Sequence, residues 1–327
     1  MGPLTSQIPK ALLHLAGKTL LEWSIDRLHQ AGCTDIVVAV GWKNDLVEKA
    51  VDKLDYSFPV HIVRVPDYER GALQTFTTAA KIVHDSISIL SPIDLVTSSN
   101  VVRSIISKHP RDNPFAITLL VDYSALSGSD VSLDSNNHII SIRSESTMAP
   151  RKAKSAMLLA FSSGFPAYCE EILDKGDTTV FSALNSLVIY QGSVFAHSIA
   201  EQWYDVDTVK DALKANRYLL ETSVASDSES IFIPSGDAME VGDSVSISSG
   251  ISLGSGVSLK GPCLIQRNSQ IGENCTIGPN ASIGESTIIQ PNSIMYDVSV
   301  FGNSIILANS KINNAVIYQS TIYLEEV

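Results

Sequence analysis

One interval governs the C-terminal part of this 327-residue chain: an aliphatic side chain returns every sixth residue. Val241, Ile247, Leu253, Leu259, Ile265, Ile271, Ile277, Ile283 and Ile289 keep the step without a break. Two residues before most of these positions stands a small or modest side chain, as at Val245, Ile251, Cys263, Ser269, Cys275 and Ala281, and Gly follows directly at 242, 254, 272, 278 and 284. The period then slips by one and continues through Ile288, Ile294, Val300, Ile306 and Ile312. A helix repeats its apolar face every 3.6 residues and a strand every 2, so a six-residue period fits neither amphipathic helices nor ordinary hairpins. It requires an array of stacked, near-identical short units that share one continuous core.

The pattern resembles the hexapeptide-repeat left-handed β-helix, in which each repeat forms one side of a triangular coil and the aliphatic residue points inward. That resemblance implies a second domain over 239–327. Cys263 and Cys275 fall on inward positions and read as small interior fillers rather than as metal ligands or a disulfide. Many such β-helices are acyltransferases whose general base is a histidine on the coil. Here all seven histidines, at 14, 29, 61, 84, 109, 138 and 197, lie upstream of the repeat. Acyl transfer is therefore disfavoured, and the coil is expected to serve structure and homo-oligomer formation, since stacked coils leave ends that need a cap or a partner.

Upstream of the repeat the grammar differs. Helical patterns alternate with strand-like runs: "LLEWSIDRLHQAG" then "DIVVAV", "DLVEKAVDKL" then "VHIVRV", "GALQTFTTAAKIVHD" then "ISIL". This alternation predicts an α/β fold over 1–222, a Rossmann-like, mainly parallel sheet with helices on both faces. Gly32 is placed to end the first helix in a left-handed conformation. The Ser- and acid-rich "TSVASDSES" marks a linker over 223–238. With 23 basic against 35 acidic residues the net charge is -12, which supplies no footprint for nucleic acid or an anionic membrane and favours a small soluble partner. Four cysteines without metal-ligand spacing, and no leader or long apolar run, predict a cytoplasmic protein with reduced thiols.

The N-terminal stretch "PLTSQIPKALLHLAGKTLLEW" closely resembles the signature of sugar-phosphate nucleotidyltransferases, in which a G-x-G-T-R-[LM] loop precedes P-L-T-x-x-x-P-K-x-L-L and G-K-x-L-L-E. The resemblance implies transfer of a nucleotidyl group from a nucleoside triphosphate to a sugar 1-phosphate or related alcohol phosphate. An oxygen of the acceptor attacks the α-phosphorus in line, Mg²⁺ assists, and pyrophosphate leaves. Lys10 matches the lysine that contacts the nucleotide phosphates and offsets developing charge. "PDYERGALQTFTTAAK" is similar to the segment that shapes the nucleobase pocket, with Gly71 the position carried over, while Val65 and Pro66 stand where many relatives read the base. "ISILSPID" looks like the strand ending in the metal-binding aspartate, which makes Asp94 the first candidate ligand, its alternative being a turn or N-cap aspartate. "WYDVDTVKDAL" is similar to W-x-D-[VI]-[DG]-T-x-x-D-L, with Asp205 the second ligand and Asp207 and Thr208 completing the motif. Asp207, where many relatives have Gly, is similar to the inositol-phosphate and choline-phosphate cytidylyltransferase branch. On the sugar side Glu145 matches the family's Glu-Lys-Pro, but Ser146 stands in place of its lysine, and Lys152 or Lys154 is a candidate substitute.

The family pattern opens with a strand and the glycine loop whose backbone N–H groups cradle the triphosphate, about fifteen residues that have no counterpart before Met1. Two readings are open: a start codon placed too far downstream, or a relative retained for regulation or assembly. Either way the 327 residues are expected to form a catalytically impaired chain, with backbone groups left unpaired in the sheet where an interior strand is wanting.

Overall fold

The computed structural model describes residues 2–83, 87–143, 149–191, 193–224 and 240–324. They form two compact units, Trp23–Asp205 and Met1–Glu22 with Val206–Val327. This division follows packing, whereas the boundaries expected at 222 and 239 follow composition; the segment 225–239 lies outside the described residues.

Trp23–Asp205 begins in helix α1 (Leu20–Gln30), which Gly32 closes at φ 106°. The expected alternation follows: β1 (Ile36–Val40), α2 (Asn44–Val51), β2 (Val60–Arg64), α3 (Ala72–Ala80), β3 (Ile87–Leu90). Next come the short β4 (Leu95–Thr97), α4 (Ser99–Lys108) and β5 (Ile117–Val121). An antiparallel three-stranded sheet of β6 (Ser129–Leu133), β7 (Ile139–Ile142) and β8 (Arg151–Ser155) is inserted before β9 (Leu159–Ser162), α5 (Phe165–Asp174), α6 (Val180–Gln191), β10 (Val194–Ser198) and β11 (Trp203–Asp205). The central sheet runs β10-β5-β9-β3, with β10 parallel to β5 and β9 antiparallel to both its neighbours. Every residue of β5 is buried, which explains its unbroken "ITLLV" in place of an alternating pattern.

Between β1 and β3 this sheet is open. Among the described residues β1 pairs only with β2 and β3 only with β9. Their unpaired edges line one cavity of about 450 Å³, Ile36 and Val37 on one side and Ile87, Ser88 and Ile89 on the other, with Leu28 and Ile106 also on its wall. All four residues of the "ISIL" strand are only half-buried.

The other unit is a β-solenoid of stacked six-residue sides. Parallel partners climb one face as Val241, Leu259, Ile277, Met295 and Ile312, a second as Ile247, Ile265, Ile283, Val300 and Ile317, and a third as Leu253, Ile271, Ile289 and Ile306. Cys263 and Cys275 are buried and free, as their inward placement predicts, and burial pushes the Cys263 thiol up to about 12. The corners turn on residues in the left-handed region, among them Asn268, Asn274, Asn280, Asn292, Asn303 and Asn309, because a short amide tolerates φ > 0 better than other side chains with a Cβ.

The slip in register falls later than the sequence suggests. Ile288 and Ile294 are exposed, and the inward positions are Ile289 and Met295. The step shortens to five between Met295 and Val300, at a corner formed by Asp297 (φ 49°), and again between Ile312 and Ile317 beside Asn314 (φ 49°).

The signature segment packs within this same unit. Leu4, Ile8, Leu13 and Leu15 are buried. Ser299 Oγ donates to His14 O (2.7 Å), Gln266 Nε2 to Gly17 O (2.8 Å), and Ala16 N to Oδ1 of the fully buried Asn216 (2.8 Å) on α7 (Val209–Leu219). Ser282 Oγ donates to the same Asn216 oxygen (2.8 Å). At Gly17 a Cβ would meet Leu264 at 2.6 Å, so the glycine of "AGKTLLE" permits a close approach to the solenoid.

Candidate active site

Asp94 lies four residues past the end of β3, in the turn that enters β4, rather than at the end of a strand as the sequence suggests. Asp205 is the last residue of β11. Strands β4 and β11 pair antiparallel with Asp205 opposite Leu95, the residue that follows Asp94. The two aspartates, remote in sequence, thus come together, with carboxylate oxygens within 4.8 Å of each other and both side chains half-buried. Two oxygens held at about 2.1 Å by one Mg²⁺ are at most about 4.2 Å apart, a spacing that small side-chain rotations reach from here. The donor set is all oxygen and anionic, the chemistry a hard divalent cation selects.

In the other unit, Lys10 Nζ stands 2.6 Å from Oδ1 of Asp207, and Val206 alone separates Asp207 from Asp205 in the chain. Lys10 follows Pro9 into a single 3₁₀ turn, Lys10–Leu12, whose next residue Leu13 is buried.

Two motif positions prove to be helix caps. Thr208 accepts from Asp211 N (3.1 Å) and donates to Asp211 Oδ2 (2.7 Å), a capping box that starts α7. Thr19 and Glu22 form the same device at α1, with Thr19 Oγ1 donating to Glu22 Oε2 at 2.7 Å and accepting from Glu22 N at 3.1 Å. Part of what makes "GKTLLE" and "DTVKD" recognisable is therefore helix initiation.

Gly71 precedes α3 at φ 112°, and a Cβ there would lie 2.6 Å from the Thr178 carbonyl oxygen. Glycine is required at this position by the fold itself. Glu145 and Ser146 lie outside the described residues. Of the two substitute lysines, Lys154 donates to Asp130 Oδ1 (2.9 Å), and Lys152 is exposed on β8.

Two further residues escape the motif comparison. Asp122 accepts from Ser124 N (2.8 Å), Ser124 Oγ (2.7 Å), Ala125 N (3.2 Å) and Trp203 Nε1 (3.0 Å). Burial pushes its carboxyl up, but these bonds outweigh that and hold it below the usual carboxylate range. Trp203 is thereby fixed on β11 two residues before Asp205. Arg27 on α1 is buried and donates to the Leu95 carbonyl, to Ser91 Oγ (2.7 Å) and to Ser24 Oγ (3.1 Å).

Residues 1–124 match the MobA-like NTP transferase domain, and residues 259–323 match the GMPPB C-terminal domain. The chain is 40% identical over 75 residues to the N-acetylmuramate alpha-1-phosphate uridylyltransferase of Neisseria meningitidis, a match covering 23% of this chain and 32% of that one. It is 22% identical over 225 residues to a low-salt glycan biosynthesis nucleotidyltransferase of Haloferax volcanii, covering 68% of this chain and 63% of the relative. The chain thus spans about a third of the first relative's length and less than two thirds of the second's. The inositol-1-phosphate CTP transferase from T. maritima shares the fold at a TM-score of 0.55 and 19% identity, over 64% of this chain and 85% of that one. The relatives matched over these parts of the chain are named as a uridylyltransferase and a nucleotidyltransferase, and the likeness to them is confined to part of its length. Among the described residues no helix is long and apolar enough to cross a membrane.

Proposed function

We propose that this chain is the nucleotidyltransferase part of an enzyme that joins a nucleoside triphosphate to a sugar 1-phosphate or related alcohol phosphate and releases pyrophosphate. The observation that carries the reading is the approach of the Asp94 and Asp205 carboxylates within 4.8 Å, through strand pairing between two segments that match the family's motifs independently. Mg²⁺ bound there would neutralise triphosphate charge and hold the α-phosphate for in-line attack. Asp94 and Asp205 supply the anionic oxygens, and Lys10, by its place in the motif, supplies the cationic contact to phosphate. Gly71 and Glu145 are assigned by the same resemblance to the nucleotide and to the sugar phosphate. The solenoid contributes self-association rather than chemistry, and its exposed Ile288 and Ile305, side by side on adjacent coils, support that role.

The test is pyrophosphate release from a panel of nucleoside triphosphates and sugar or alcohol phosphates. Turnover should depend on Mg²⁺ and fall by at least about a hundredfold in Asp94→Ala and Asp205→Ala. Full activity in both variants would show the metal site to be elsewhere. A second reading, a non-catalytic regulatory or scaffold relative, draws on the open sheet between β1 and β3, and an inactive protein that still binds nucleotide would favour it.

A further inference from the structure

Arg27 presents an electrostatic puzzle. Its side chain is 5% exposed, its Nε has no hydrogen-bond partner, and the three oxygens it donates to, those of Leu95, Ser91 and Ser24, are all uncharged. Among the described residues it makes no ion pair, and burial pushes its pKa down to about 10, so the group still enters the core as a cation. An arginine buried without a carboxylate is unfavourable for stability, and an apolar side chain of similar length would suit a site whose only task was packing.

Its contacts indicate a different task. The guanidinium spans the turn that carries Asp94, gripping Ser91 three residues before it and Leu95 one residue after it. Leu95 is also the cross-strand partner of Asp205. Arg27 therefore holds the one residue that is both chain neighbour to the first acidic group and pairing partner to the second.

We infer that Arg27 is a positioning residue that fixes the separation and orientation of the Asp94 and Asp205 carboxylates from beneath the site, through Leu95 and Ser91. Its planar fork can bond two oxygens at fixed angles, whereas a lysine ammonium is a point charge on a flexible stem. The inference rests on the metal-binding reading given above, and its test separates the two.

Mn²⁺, which accepts the same carboxylate ligands, serves as the probe. Its affinity is measured by the loss of the free-ion paramagnetic resonance signal, alongside thermal unfolding, for the full chain and for Arg27→Met, Arg27→Lys and Ser91→Ala. Arg27→Met should weaken Mn²⁺ binding by about tenfold or more, which corresponds to about 1.4 kcal/mol. Arg27→Lys should recover only part of the loss, and Ser91→Ala should weaken binding by a smaller factor with little change in the unfolding midpoint. A merely structural arginine would shift the midpoint and leave Mn²⁺ affinity untouched. Unchanged affinity in folded Arg27→Met overturns the inference; if that variant does not fold, unchanged affinity in both Arg27→Lys and Ser91→Ala overturns it equally. Absence of Mn²⁺ binding by the unaltered chain defeats the metal-site reading itself, and this inference with it.

Discussion

Lys10 and Asp207, 197 residues apart in sequence, meet in an ion pair of 2.6 Å between Nζ and Oδ1. Asp207 is two-thirds exposed, so the pair adds little to stability, by the usual measure of surface pairs less than about 1 kcal/mol. Lys10→Ala is therefore expected to leave urea unfolding within about 1 kcal/mol of the parent while reducing pyrophosphate release by about a hundredfold or more. A variant that loses stability and activity in step would mark Lys10 as structural.

The open sheet edges give a second expectation. Among the described residues strand β5 is paired on both sides, by β9 and β10, whereas β3 is paired by β9 alone. Backbone amides of Ile87–Leu90 should exchange with deuterium at least about tenfold faster than those of Ile117–Val121. Equal protection in the two strands would mean that some other group fills the cavity between β1 and β3.

A pair of adjacent isoleucines tests the solenoid register. Ile289 is 1% exposed on the inner face and Ile288 is 36% exposed on the outer one. Ile289→Ala should lower unfolding free energy by about 2–5 kcal/mol, the range for a buried aliphatic truncation, and Ile288→Ala by less than about 1 kcal/mol. The reverse order would restore the earlier slip that the bare periodicity suggests.

Three histidines make stability depend on pH in one direction. Burial lowers the pKa of His14, His109 and His197 from 6.5, partly opposed at His14 by Glu22 and Glu285 and reinforced by Arg111 at His109 and Lys108 at His197. Below 6.5 the unfolded chain takes up protons that the folded chain resists, so the unfolded state binds more and stability rises with pH. The urea midpoint should fall as pH is lowered through the ordinary histidine range and level off once the folded histidines also protonate. His109 bonds Thr118 Oγ1 and Ser162 Oγ, each at 3.0 Å, and His109→Gln should flatten this dependence. A midpoint that climbs on acidification would contradict the assignment.

The sequence by itself determined the solenoid, because an inward aliphatic every sixth residue has to be buried and only stacked coils bury it at that period. It also determined the alternating α/β unit and the identity of the two acidic candidates, since their motifs are local. It did not place the register slip: Ile288 and Ile289 are chemically identical neighbours, and the choice between them is made by which backbone can turn the corner at Asp297 with positive φ. Nor did it disclose Arg27, which sits on a helix with an ordinary amphipathic pattern and matters only through the oxygens around it. Tertiary structure alone decided that Asp94 and Asp205 are neighbours. Their approach depends on β4 and β11 pairing with Asp205 opposite Leu95, and a strand pairing between segments so far apart is fixed by the packing of everything between them rather than by either segment's own residues.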